Sequence, residues 1–209
     1  MLQKGYFSLR IATWMIVIGS QAASAHPHAW IDVRTTLILS NASTVRAIRE
    51  EWSFDRDYTN YVLHDSKGRV TSLPEFTRSA MQHLAPYGYF IELRGGGTRL
   101  SLGQVTGAES SISNGSLLMH FTVALVRPVN LSTSPLTFSV YDPTYYIAFV
   151  HVKDHPVSFE GADVAACSAR IQSATPSPQA LSQAQAMDRN APVNASLGRM
   201  FAETVSVRC

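Results

Sequence analysis

Apolar and polar residues alternate over positions 29–39 and again over 45–54, with β-branched side chains enriched, which is the pattern of strands that bury one face. Asn41-Ala42-Ser43 supplies the turn between them. After Asp55 the apolar spacing lengthens to a helical period, so that Tyr58, Tyr61 and Val62 share one face, and a second helix is predicted from about Pro74 to Leu84. Strand patterns return over 89–93, 99–105, 117–126, 136–141 and 145–152, broken by Gly95-Gly96-Gly97, Asn114-Gly115 and Asp142-Pro143. Residues 173–194, rich in Ala, Gln, Ser and Pro, predict a polar linker with one weak helix before a last strand over 204–208. The expected fold class is α+β: a mainly antiparallel, sandwich-like sheet with a two-helix insertion at about 55–86 and a C-terminal strand. No second apolar block demands another domain, so residues 26–209 are expected to form one.

The first 25 residues follow another logic. Lys4 and Arg10 bear the positive charge, residues 11–19 form an apolar run, and Ala23-Ser24-Ala25 offers a small-residue cleavage site. This predicts a secretory signal peptide cut between Ala25 and His26; the run is well short of the ~20 residues that span a bilayer. Export to the periplasm is expected, with no membrane insertion after cleavage. Removing Lys4 and Arg10 from the 17 Lys and Arg leaves as many as the 15 Asp and Glu, so the mature chain is formally neutral. With no Lys/Arg run in it, neither nucleic acid nor an anionic membrane is an expected partner. An exported chain with two cysteines predicts a disulfide, here Cys167 to Cys209.

A chain that starts at His26 presents an α-amine and a ring nitrogen from one residue, and His28 adds a third nitrogen. That donor set suits nickel, cobalt, zinc or copper; calcium and magnesium prefer oxygen. Pro27 lacks the N–H that a terminal square-planar copper or nickel site would deprotonate, so the tail alone binds incompletely and the fold is expected to supply a further ligand. Asp32, on the His28 side of the first strand, is one candidate as ligand or orienter of an imidazole, although it reads first as a solvated strand residue. Asp142 is another, although Asp142-Pro143 reads first as a turn. His120 and His151 lie inside strand patterns, where hydrogen-bonded wall residues are expected, while His64 and His83 read as surface residues. No nucleophile elbow, His-Glu-x-x-His helix or phosphate loop is present, so no catalytic residue is assigned.

Five passages occur in order: His26-Pro27-His28-Ala29-Trp30-Ile31-Asp32, Glu51-Trp52-Ser53-Phe54-Asp55, Tyr141-Asp142-Pro143-Thr144-Tyr145-Tyr146, Cys167-Ser168-Ala169-Arg170, and Phe201-Ala202-Glu203-Thr204-Val205 running to Cys209. Together they resemble the exported domain-of-unknown-function family numbered one thousand and seven. The resemblance implies a periplasmic component of an ABC-type transport system and an association with nickel/cobalt exporters, so that a membrane metal transporter or permease is the expected partner. Several relatives carry an Asp-rich, calcium-loop-like segment after the second motif. Here, with Gly68 at its sixth position, Leu63 and Lys67 replace acids and Pro74 falls at the twelfth, so calcium is not expected. The leading reading is a metal-binding transport accessory; a copper enzyme built on an N-terminal histidine brace, or an adhesion or assembly module, are the alternatives.

Overall fold

The computed structural model describes residues 27–64, 72–161, 164–187 and 196–209. Residues 1–26, with Ala25 and His26, and residues 65–71, with Lys67 and Gly68, lie outside them. In chain order the elements are β1 (Ala29–Asn41), β2 (Thr44–Phe54), α1 (Arg56–Leu63), α2 (Leu73–Leu84), a 3-10 segment (Ala85–Phe90), β3 (Ile91–Gly95), β4 (Thr98–Arg99), β5 (Leu102–Ser113) and β6 (Ser116–Asn130). There follow β7 (Leu136–Val140), β8 (Ile147–His151), β9 (Val157–Glu160), a second 3-10 segment (Val164–Ala166), β10 (Ser168–Gln172), α3 (Pro178–Ala186), α4 (Leu197–Phe201) and β11 (Thr204–Arg208). The α+β class expected from the hydrophobic pattern is the fold observed.

One sheet runs β5-β6-β2-β1, and the far edge of β1 carries β8 and then β9, both parallel to it. The second runs β10-β11-β7-β3-β4, with antiparallel pairs throughout. The sheets bury their facing sides against each other because each strand alternates. In β1, Ile31, Val33, Leu37 and Leu39 point inward and Trp30, Asp32 and Arg34 outward; in β6, Leu117, Met119, Phe121, Val123 and Leu125 point inward. Leu93, Leu136, Phe138, Val205 and Val207 close the core from the second sheet. Trp52 is its hub, meeting Phe121 at 5.0 Å and Phe149 at 4.9 Å edge-on. Such ring pairs add about 0.5–1.5 kcal/mol each beyond the area they bury.

Three local expectations are corrected. Residues 99–105 are not one strand: Leu100 N–H donates to Leu93 O at the end of the β3–β4 hairpin, and the chain then crosses to the other sheet to begin β5. Tyr61 is 77% exposed, so α1 buries Tyr58 and Val62 but not all three predicted residues. Strands β9 and β10 were not expected, since each has only two inward-leaning apolar residues and too short a run for alternation to stand out. Within 173–194 a helix does form: the Ser177 side chain accepts from Ala180 N–H and Pro178 opens α3.

Cys167 and Cys209 are disulfide-bonded, immediately beyond the rung in which Ser168 faces Arg208. The bond ties the chain's last residue to the edge strand β10 and closes a loop of 42 residues. Replacing both cysteines by alanine should lower unfolding free energy by about 2–5 kcal/mol, measured by urea denaturation of the two proteins under identical non-reducing conditions.

Candidate functional site

Three of the five sequence motifs converge where β1 enters the first sheet. Asp55, at the end of β2, caps α1 by accepting from Tyr58 N–H at 2.8 Å through Oδ1. Its Oδ2 accepts from Trp30 N–H at 2.7 Å, and its own N–H donates to Trp30 O at 3.0 Å. One carboxylate therefore fixes both the helix start and the second residue of β1. The buried Thr59 continues the contact: its hydroxyl donates to Asp55 O and accepts from Leu117 N–H, tying α1 to β6.

The loop 141–146 holds the other side. Asp142 is buried, and its carboxylate accepts from Thr144 N–H at 2.9 Å, from the Thr144 hydroxyl at 2.8 and 3.0 Å, and from Ile147 N–H at 3.1 Å. Tyr145, at φ 61°, sits in the left-handed region that non-glycine residues avoid. Its ring is stacked on Phe201 at 3.9 Å and 13°, packing that holds the unfavourable backbone in place. Gly198 passes so close beneath that a Cβ there would run into the Asp142 carbonyl, while its N–H donates to Pro143 O.

His28 lies between these two turns. Its N–H donates to Tyr146 O at 2.8 Å, and its half-buried ring packs on the Tyr146 ring at 4.6 Å between centroids. Asp32 is two rungs along on the exposed face, opposite Ser53 and Val150. Among the described residues no three His, Cys, Asp or Glu side chains meet as a metal shell, and His26 is not among them. Asp142 is occupied as a turn organiser. Its place beside His28 in the fold is indirect, through Tyr146, and no ligating geometry joins the two.

A family model described as "Protein of unknown function (DUF1007)" matches residues 11–209. The chain belongs to the DUF1007 family. An uncharacterized protein of Haemophilus influenzae is 24% identical over 205 residues, spanning 94% of this chain and 98% of that protein.

Two further polar centres in this DUF1007 protein lie inside the sandwich. His151 packs edge-on against Phe138 of the opposing sheet and is the hydrogen-bonded wall residue expected. Glu203 Oε2 accepts from both the backbone N–H and ring Nδ1 of His151 at 2.8 Å, joining the end of β8 to the start of β11. Burial alone would raise the Glu203 pKa, but the two His151 hydrogen bonds and the ring's charge outweigh it and hold the carboxyl below its ordinary range. The Nε2 of His151 is buried with no hydrogen-bond partner among the described residues.

Glu50, which the sequence reading passed over, is fully buried on the core side of β2. The Thr35 hydroxyl donates to its two oxygens at 3.1 Å each and the Trp52 indole N–H at 3.4 Å, with no cation among these partners. Parity could have found it: Glu50 shares its face with Ile48, Trp52 and Phe54. Burial pushes its carboxyl up to about 8 against the opposing pull of Thr35 and Trp52. The folded protein keeps this proton up to about pH 8 whereas the unfolded chain releases it near 4.5. Glu50's contribution to stability is therefore full below the lower value and is lost as pH rises through the window, at roughly 1.4 kcal/mol per pH unit. Glu50→Gln should match wild type at pH 4 and become more stable than it by pH 8, measured by chemical denaturation across that range; parallel pH profiles would contradict the assignment.

Proposed function

We propose that the protein is an exported, periplasmic accessory of a membrane metal transport system that captures a divalent transition metal ion, nickel, cobalt or zinc, through His26 and His28. The observation that best supports this reading is the anchoring of His28. An incidental histidine tail would hang free of the fold. Here the residue is bonded through its backbone to Tyr146 and packed on that ring, beside the two carboxylate-organised turns. A terminus starting at His26 would lie one residue before Pro27, so its amine and ring would be delivered to the same rim. Donors of this kind favour the borderline transition metals over calcium.

The donors named make at most a partial shell, and Asp142 has its lone pairs engaged by Thr144 and Ile147. The remaining coordination positions fall to water or to the transporter, which suits an ion that must be handed over.

The test is calorimetric titration of nickel, cobalt, zinc and copper into three proteins: the chain beginning at His26, the same chain with one extra leading alanine, and His28→Ala. Loss of one chelating donor should weaken binding at least about tenfold in both altered forms. Equal affinities would remove the terminal site. Tight copper binding accompanied by oxygen consumption with a reductant would favour the histidine-brace enzyme instead.

A further inference from the structure

The outer face of the second sheet gathers arginines that the sequence keeps apart. Cross-strand register places Arg170 opposite Ser206, Ser206 opposite Thr137, Thr137 opposite Arg94, and Arg94 opposite Arg99. Directly opposed residues project from the same face, so one row crosses all five strands with an arginine at one end and two at the other. Arg94 is already engaged, with Glu92 at 2.8 Å and the Gly97 carbonyl at 3.0 Å, and Arg199 donates to the Ser139 hydroxyl beside the Tyr141 ring. Arg170 and Arg208 have no carboxylate partner among the described residues.

These two arginines are diagonal neighbours on β10 and β11, since Arg170 faces Ser206 and Arg208 faces Ser168. Diagonal positions stand roughly 7–8 Å apart, within the reach of two guanidinium groups converging on one ligand. They border an open groove of about 610 Å³ together with Ser168, Gln172 and Ser206. Among the described residues every polar side chain lining it can donate a hydrogen bond and none is acidic.

We propose that this groove binds a soluble phosphate-bearing molecule, its phosphate group held between Arg170 and Arg208 and its oxygens accepting from Ser168 and Ser206. Donor number favours phosphate over carboxylate: two forked guanidinium groups and two hydroxyls exceed what two carboxylate oxygens can accept, while a phosphate offers three or more. The volume leaves room for the group that bears the phosphate. A lipid surface fits poorly, because none of the large exposed apolar side chains lies on β3, β4, β7, β10 or β11 to enter a bilayer. The site is separate from the proposed metal site and does not depend on it.

The experiment uses the disulfide-bonded chain from His26, titrated with inorganic phosphate, glycerol 3-phosphate and succinate at low salt and followed by backbone amide NMR. The expected result is saturable binding of both phosphates, with the largest shifts at Ser168, Arg170, Ser206 and Arg208. Affinity should fall at least tenfold in Arg170→Gln/Arg208→Gln and stay unchanged in Arg127→Gln, an exposed arginine on the other sheet. The side chains are exposed, so the double variant should melt with wild type; if it does not, the shift map of the wild-type protein decides alone. No saturable phosphate binding, shifts centred elsewhere, or succinate binding as tightly as phosphate would overturn the proposal. Cosedimentation with vesicles containing phosphatidic acid at concentrations where glycerol 3-phosphate does not bind would overturn the soluble ligand.

Discussion

The entry of β1 into its sheet depends on two carboxylates, each of which accepts backbone N–H groups. A strand's first residues have unpaired amides and no packing on one side, and they fray unless something satisfies them. Asp55 takes Trp30 N–H while capping α1, and Asp142 folds the loop whose Tyr146 carbonyl takes His28 N–H. The Asp55 carboxylate is a helix cap used a second time to fix a distant strand, whereas Asp142 acts only within its own loop. The consequence is a fixed entry to β1, with His28 and Trp30 both held through their backbone N–H groups.

The core behind that rim is less uniformly apolar than its strands suggest. Glu50 and His151 are polar residues buried in the sandwich, and His151 is bonded to the part-exposed Glu203. Glu203 accepts two hydrogen bonds from His151, which offset part of the cost of burying that ring and join β8 to the segment leading into β11. Glu50 has only neutral partners and remains protonated at neutral pH, which makes it a cost relative to an apolar residue of the same shape. Why the fold keeps a carboxyl there has no account in its contacts.

The strand positions were legible because alternation in β1, β2 and β6 runs long enough to separate the two faces. The same parity that hides Ile31 and Val33 exposes Trp30 and Asp32. Where the chain changes sheets, between Arg99 and Leu102, no change in pattern marks it, and β9 and β10 are too short to show one. The disulfide was legible from the cysteine count together with the export expected of the chain. Site geometry was not: the motifs at 28–32, 51–55 and 141–146 can be seen as recurrent passages, but only register brings them to one rim. The arginine row across the second sheet is hidden for the same reason, since its members come from five strands with no local charge run.

The proposed metal ion would bind at this rim through His28 and not at the other histidines of the sandwich. The most direct measurement is long-range ¹H–¹⁵N correlation NMR of the imidazole nitrogens in the protein starting at His26, as one equivalent of zinc, which is diamagnetic, is added. The ring nitrogens of His26 and His28 should shift together and saturate at one equivalent while those of His120 and His151 stay in place. Unmoved His28 nitrogens, with zinc taken up by His120 beside Glu109 or by the buried His151, would contradict it.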